Sequence, residues 1–352
     1  MTLVRRHWTL IGPALFVVVF ALGGRLTSGS IQLQVRSILV TACIVVALHV
    51  FIGVSGVVSF GHISFVAIGA FAAGIATAPA ELKPTAFPDM FPFLANLEIG
   101  NIASLVLAAA IGGLYAFLVG IPIVRLSGLA AGIATFAVLI ITNNVFRNWE
   151  AIGPGAKTLP QIPETSDFLQ VTVGLLAVMA IAYLYQTSRY GRMLRATRED
   201  PAAARSSGVH IHRQRLAAFT LSGLLAGFAG GLLVHLVGSI TTNQVYLDLT
   251  FITLAMLVIG GIGSLWGAVI GAVFIATLNT VLFEAENQFD LGPLSVDLPA
   301  GSRLVGLAVV MILVLLFRPQ GITDGKELRW PFTRDGADRS KEVEAGVGMG
   351  RD

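Results

Sequence analysis

The chain has 352 residues, of which 55% are hydrophobic and 12% charged. A soluble domain carries about a quarter charged residues, so an ordinary soluble enzyme or binding module is excluded and an integral membrane protein is indicated. The net charge of +3 does not point to nucleic acid, because the basic residues sit in short loops and a tail without interleaved aromatics.

In chain order, Arg5 and Arg6 precede an apolar run at 8–24. That run is longer than the core of a signal peptide, and no A-x-A site follows it, so a retained first span is expected. Spanning the hydrocarbon core takes about 20 apolar residues. Apolar runs at 8–24, 37–54, 57–78, 102–121, 126–146, 168–187, 216–237, 249–262, 266–283 and 303–317 give about ten transmembrane helices, with eight or nine possible because 37–78 and 249–283 are nearly continuous. The fold class expected is therefore an all-α polytopic membrane protein. The single Cys43 excludes an intrachain disulfide and reads as a small packed apolar side chain. Pro- and Gly-rich stretches at 79–101 and 147–167 read as exterior loops. Residues 1–322 read as the transmembrane domain, and 323–352 read as a disordered cytoplasmic tail.

Ten spans with both termini cytoplasmic put seventeen of the 23 basic residues on the inner side, in agreement with the positive-inside rule. The span interiors contain no Asp, Glu, Lys or Arg, which argues against an ion-coupled carrier or pump. Of the buried candidates His49, His62 and His235, a bond to a neighbouring helix is the expected role rather than a proton relay. Glycines at helix-packing spacing (Gly223, Gly227, Gly230 and Gly231) should let backbones approach closely. Two apolar runs are interrupted by small residues, at 53–65 and 260–272. Paired interruptions point to a substrate path, which makes Gly56, Ser59, Gly61, His62, Ser64, Gly260, Gly261, Gly263, Ser264 and Gly267 candidate path residues; tight packing at a hairpin turn is the alternative. Thr142, Asn143 and Asn144 could meet substrate charges or cap a helix, with capping the expected role.

One polar segment stands out, SRYGRMLRATREDPAAARSSGVHIHRQR at 188–215, with seven arginines. Asp200 suits an N-cap, Pro201 the first helical position and Gly208 the stop, around Ala202–Ala203–Ala204. So short a helix is marginal in water and must pack on something. This grammar predicts a docking surface for another protein, built from Arg195, Arg198, Glu199, Asp200, Pro201, Ala202, Ala203, Ala204, Arg205 and Gly208. The simpler alternative is an arginine-rich loop held by anionic lipid headgroups. No phosphate-binding G-x-x-x-x-G-K-[ST] loop, nucleophile–base pair or metal-ligand cluster is visible. His210 and His212 lack a third ligand, so no metal site is expected.

Several segments in order carry a resemblance: SFGHISFVAIGAF (59–71), RLSGLAAGIATFAVLIITNNVFRNW (125–149), the 188–209 segment, LAAFTLSGLLAGFAGGL (216–232), VIGGIGSLWGAVIGA (258–272) and LFRPQGI (316–322). The chain resembles the permease subunits of bacterial branched-chain amino-acid ATP-binding-cassette importers, specifically the LivM-like member. The resemblance implies an inner-membrane importer with a second permease subunit (a heterodimer), two cytoplasmic ATPases and an extracytoplasmic substrate-binding protein. ATP and magnesium would be used by the partners, with no cofactor on this chain and no enzymatic activity of its own. In such importers a helix with the pattern E-A-A-x-x-x-G enters a cleft of the ATPase; Ala203–Gly208 fits it, with Ala202 in place of Glu. Urea or short amides are alternative substrates within the class, and a stand-alone secondary carrier or channel is the alternative outside it.

Overall fold

The computed structural model describes residues 7–327, apart from 82, 154, 288–289, 292–293 and 296–300. The helices are α1 (Trp8–Arg25), α2 (Gly29–Ser55), α3 (His62–Thr77), the single turns α4 (Lys83–Ala86) and α5 (Pro92–Ala95), α6 (Asn101–Ile123), α7 (Gly128–Asn148), α8 (Phe168–Thr187), α9 (Arg189–Glu199), α10 (Pro201–Ser206), α11 (Ile211–Val237), α12 (Leu247–Gly260), α13 (Leu265–Asn287) and α14 (Ser302–Phe317). Between α13 and α14 a two-residue antiparallel ladder pairs Asp290 with Ser295 and Leu291 with Leu294.

Each of the ten apolar runs is a helix. Among the described residues seven of them are long and apolar enough to cross a membrane, and α3, α12 and α14 are shorter apolar helices. At 1.5 Å per residue, the 16 residues of α3 and the 14 of α12 reach about 24 and 21 Å, short of the ~30 Å hydrocarbon core. The chain breaks at 56–61 and at 261–264 account for the lost length of α3 and α12. Of the expected tail, Thr323–Glu327 lie against the α12–α13 turn, and 328–352 fall outside the described residues.

The centre of the bundle is α11, packed against α2, α3 and α6. Its approach to α6 depends on facing rows of small residues. A side chain begun at Gly227 would meet the Ala108 carbonyl and lie 3.1 Å from Gly112 Cα, while one at Gly112 would lie 2.8 Å from the Gly223 carbonyl oxygen. Two helices without side chains at the crossing can bring their backbones into contact, which replaces the hydrophobic drive that lipid cannot supply. Polar bonds add to this packing. Ser222 donates to the Ala47 carbonyl at 2.6 Å, and His235 bonds Ser104 at 2.8 Å and the Pro163 carbonyl at 3.1 Å.

The connections gather in two groups. In one, Leu159 and Ile240 exchange backbone bonds, Ile162 bonds Gly238, and Arg36 reaches the Ser166 carbonyl. In the other, α9 and α10, both breaks, the α6–α7 turn and residues 318–327 come together, with His212 facing the Val124 carbonyl and Arg198 reaching Gly53. His7, at the start of α1, bonds Tyr183 near the end of α8 and so belongs to this second group.

Candidate docking segment and paired helix interruptions

The chain from Ser188 to Val209 forms two short helices at nearly every position its capping residues specify. Ser188 accepts a bond from Gly191 N at 3.3 Å and opens α9. Gly191, Leu194 and Thr197, three residues apart, are buried, while Arg192 and Arg195 between them are exposed. That makes α9 an eleven-residue amphipathic helix. Asp200 then accepts from Ala202 N at 2.8 Å and Ala203 N at 3.0 Å. Bonds from Ala203 and then Ala202 to the ionised carboxyl hold it below the usual carboxylate range.

Beyond Pro201, α10 ends in a Schellman closure. Val209 N bonds the Ala204 carbonyl at 3.0 Å and Gly208 N the Arg205 carbonyl at 2.9 Å. Gly208 has φ +81°, and nothing lies within 4 Å of where its Cβ would be, so the glycine is required by conformation alone. Ala204 is buried; Ala202, Ala203, Arg205 and Ser206 are exposed. Among the described residues none of the seven arginines of 188–215 pairs with a carboxylate, and the ion pair present is Lys326–Asp324. The segment thus offers a shallow alanine surface edged by uncompensated positive charge.

It is also tied to the bundle. Arg198 donates to the Gly53 carbonyl at 2.9 Å, in the last turn of α2, where helix carbonyls carry partial negative charge. Arg192 bonds the Thr187 carbonyl at 2.8 Å and Arg195 the Gln186 side chain at 3.3 Å. Glu199 is exposed beside them.

The candidate path residues fall at the two breaks, and the breaks meet at the end of α2. Gly56 closes α2 in the left-handed region at φ +71°. Ser59 bonds His62 Nδ1 at 2.8 Å, Phe60 N bonds Thr135 on α7 at 3.1 Å, and Ser64 bonds the Gly61 carbonyl. His62 is enclosed by Phe51, Phe65 and Phe219. At the second break, Gly260 faces Gly267 and Gly271, Gly261 faces Thr323, and Gly263 faces Gly325. Ser264 caps α13 through Gly267 N at 3.1 Å. His49 joins the breaks, with Nδ1 3.1 Å from the Ile262 carbonyl oxygen. Thr142 and Asn143 do not cap α7: Thr142 bonds back to Val138, and Asn143 reaches the Thr242 carbonyl. Together with Ser64 and Thr242 they line a narrow crevice.

Sequence reasoning missed Gln186, Thr323 and Glu327. Thr323 and Glu327 lie just past a helix-ending R-P-Q-G and were assigned to the tail. The turn grammar of Gly321–Gly325 was the signal that the chain folds back there rather than leaving.

The family described as "Branched-chain amino acid transport system / permease component" matches residues 30–316. The high-affinity branched-chain amino acid transport system permease protein LivM of Salmonella typhimurium is 26% identical over 88% of this chain and 73% of that protein. LivM of Escherichia coli is 27% identical over 78% of this chain and 65% of its own length. The autoinducer 2 import system permease protein LsrC of Klebsiella pneumoniae is 31% identical over 57% of this chain and 60% of its own.

Proposed function

The chain belongs to the family of branched-chain amino acid transport system permease components, and from that premise we propose that it is the membrane-spanning subunit of an ATP-binding-cassette importer for a branched-chain or other hydrophobic amino acid. It is a multi-pass permease of the bacterial cytoplasmic membrane, and no ATP-binding loop occurs in its sequence. Energy therefore enters through separate ATPases that use ATP and magnesium and dock on 188–215. A second permease subunit and an extracytoplasmic binding protein complete the importer.

The observation that carries this reading is the docking segment: a doubly capped helix with an exposed Ala202–Ala203 surface, arginines that pair with no carboxylate among the described residues, and a direct bond from Arg198 to the end of α2. Closure of the ATPases would shift α10 and α9 as a unit, and α2 with them, because the contacts are bonded and packed rather than loose. Counting α3, α12 and α14 as crossings gives ten and returns the chain to the docking end after α14, which supports cytoplasmic termini. The His7–Tyr183 bond supports the same placement for the start of α1. A substrate with equal and opposite charges needs dipoles rather than a buried ion to pass, and Ser64, Thr142, Asn143 and Thr242 supply them in the crevice.

The test is co-purification from the native membrane followed by uptake of radiolabelled leucine. An ATPase should be recovered with the wild-type chain and lost with Ala203→Arg, which places a long charged side chain on the exposed face of α10, while the amount of membrane-inserted protein is unchanged. Recovery of the chain alone, with leucine uptake in liposomes lacking ATP, would replace this reading with a secondary carrier. Competition of leucine uptake by urea or a sugar decides the substrate class.

A further inference from the structure

An interruption between two apolar helices leaves orphan carbonyls at the end of the first and orphan N–H groups at the start of the second. At the α12–α13 break both sets are met by a segment some sixty residues away in sequence. Ile322 N bonds the Ile259 carbonyl at 2.7 Å, and the Thr323 hydroxyl bonds the Gly260 carbonyl at 2.8 Å. On the other side of the break the Glu327 carboxylate accepts from Leu265 N at 2.9 Å, the Ser264 hydroxyl at 3.2 Å and Trp266 N at 3.4 Å. A carboxylate at the start of a 23-residue helix also meets the positive end of its dipole. The strap 321–327 therefore caps both helices of the break at once.

The same carboxylate is connected to the docking segment. Gln186, 4% exposed at the end of α8, donates to Glu327 at 3.4 Å, and its own oxygen accepts from Arg195 of α9 at 3.3 Å. That oxygen also faces His49 Nε2 at 3.4 Å, while His49 Nδ1 faces the Ile262 carbonyl inside the break. A hydrogen-bonded line thus runs from Arg195 through Gln186 and Glu327 to the first turn of α13. It is separate from the Arg198–Gly53 bond, which reaches the other break.

We propose that Glu327, held by Gln186, is the positioning residue through which movement of the docking segment is transmitted to the α12–α13 break, so that uptake is coupled to ATP hydrolysis through α13 as well as α2. The inference rests on the importer reading above. It concerns a part of the chain that the docking segment does not include.

The experiment uses the complete importer in proteoliposomes and measures leucine taken up per ATP hydrolysed, alongside ATPase co-purification and the unfolding midpoint. A bond to a charged group is worth enough that Glu327→Gln, which turns an all-acceptor group into one presenting a donor to Trp266 N or Ser264, should lower the uptake-to-hydrolysis ratio about tenfold. Gln186→Leu should lower it by a similar factor, Glu327→Asp should restore part of it, and all three should retain the ATPase. A merely structural cap would lower the midpoint and the amount of active protein but leave uptake per ATP at the wild-type value, and that result overturns the proposal. Wild-type proteoliposomes without ATP-dependent leucine uptake would instead overturn the importer reading, and this inference with it.

Discussion

Replacing Gly208 isolates the cost of one backbone conformation. The residue sits at φ +81° with no atom within 4 Å of its would-be Cβ, so Gly208→Ala introduces no clash and removes no side-chain bond. What remains is the intrinsic penalty of a left-handed L-residue, about 1–2 kcal/mol. That corresponds to a shift of roughly 5- to 30-fold in the ratio of closed to frayed ends of α10. The six-residue helix has no length to absorb the shift, because a helix so short is unstable unless its ends are fixed. The apparent dissociation constant for the ATPase is the intrinsic one divided by the fraction of competent segment, so retention of the ATPase and uptake at limiting ATPase should fall by up to that factor. Insertion into the membrane should not change, since Gly208 is exposed and outside the packed helices. Asparagine tolerates the left-handed region, so Gly208→Asn should recover much of the loss. Gly208→Pro should be worst, for its φ near −65° forbids the turn and it lacks the N–H that bonds Arg205. Titration of the purified ATPase onto the three variants in nanodiscs, with leucine uptake measured in parallel, reads the order directly. Equal binding by Gly208→Ala and wild type, or an asparagine variant as impaired as the alanine one, would refute the account.

Two further outcomes follow from the same structure. Gly227→Leu drives a side chain into the Ala108 carbonyl and Gly112, an overpacking of about 1–3 kcal/mol or more where backbone must move; the unfolding midpoint in detergent should drop, whereas the exposed Gly23→Ala change on α1, where nothing lies within 4 Å of the added Cβ, should not lower it. The bonds that depress the Asp200 carboxyl favour its ionised form, so the cap is complete above about pH 4 and is withdrawn as pH falls below that. Hydrogen exchange at Ala202 and Ala203, corrected for intrinsic rates, should show the loss in wild type and a flat response in Asp200→Asn; the same pH response in both proteins would contradict it.

The sequence alone determined the ten apolar helices, because burial in lipid is a local requirement that each run of residues meets or fails by itself. It also determined α10, whose N-cap, Pro, alanines and αL glycine act within a few residues of one another. The glycine spacing in α11 announced a close helix crossing, though its partner, the Ala108–Gly112 stretch of α6, was set only by packing. Tertiary structure decided the rest. The breaks at 56–61 and 261–264 look alike as strings of small residues, but only the fold brings both to the end of α2 and places Arg198 and His49 between them. Thr323 and Glu327 read as solvent-exposed polar chain until the orphan backbone groups of a distant interruption come within reach. A run of apolar residues carries its own reason to be helical. A hydrogen bond between residues more than sixty positions apart has its reason only in the packing that brings them together.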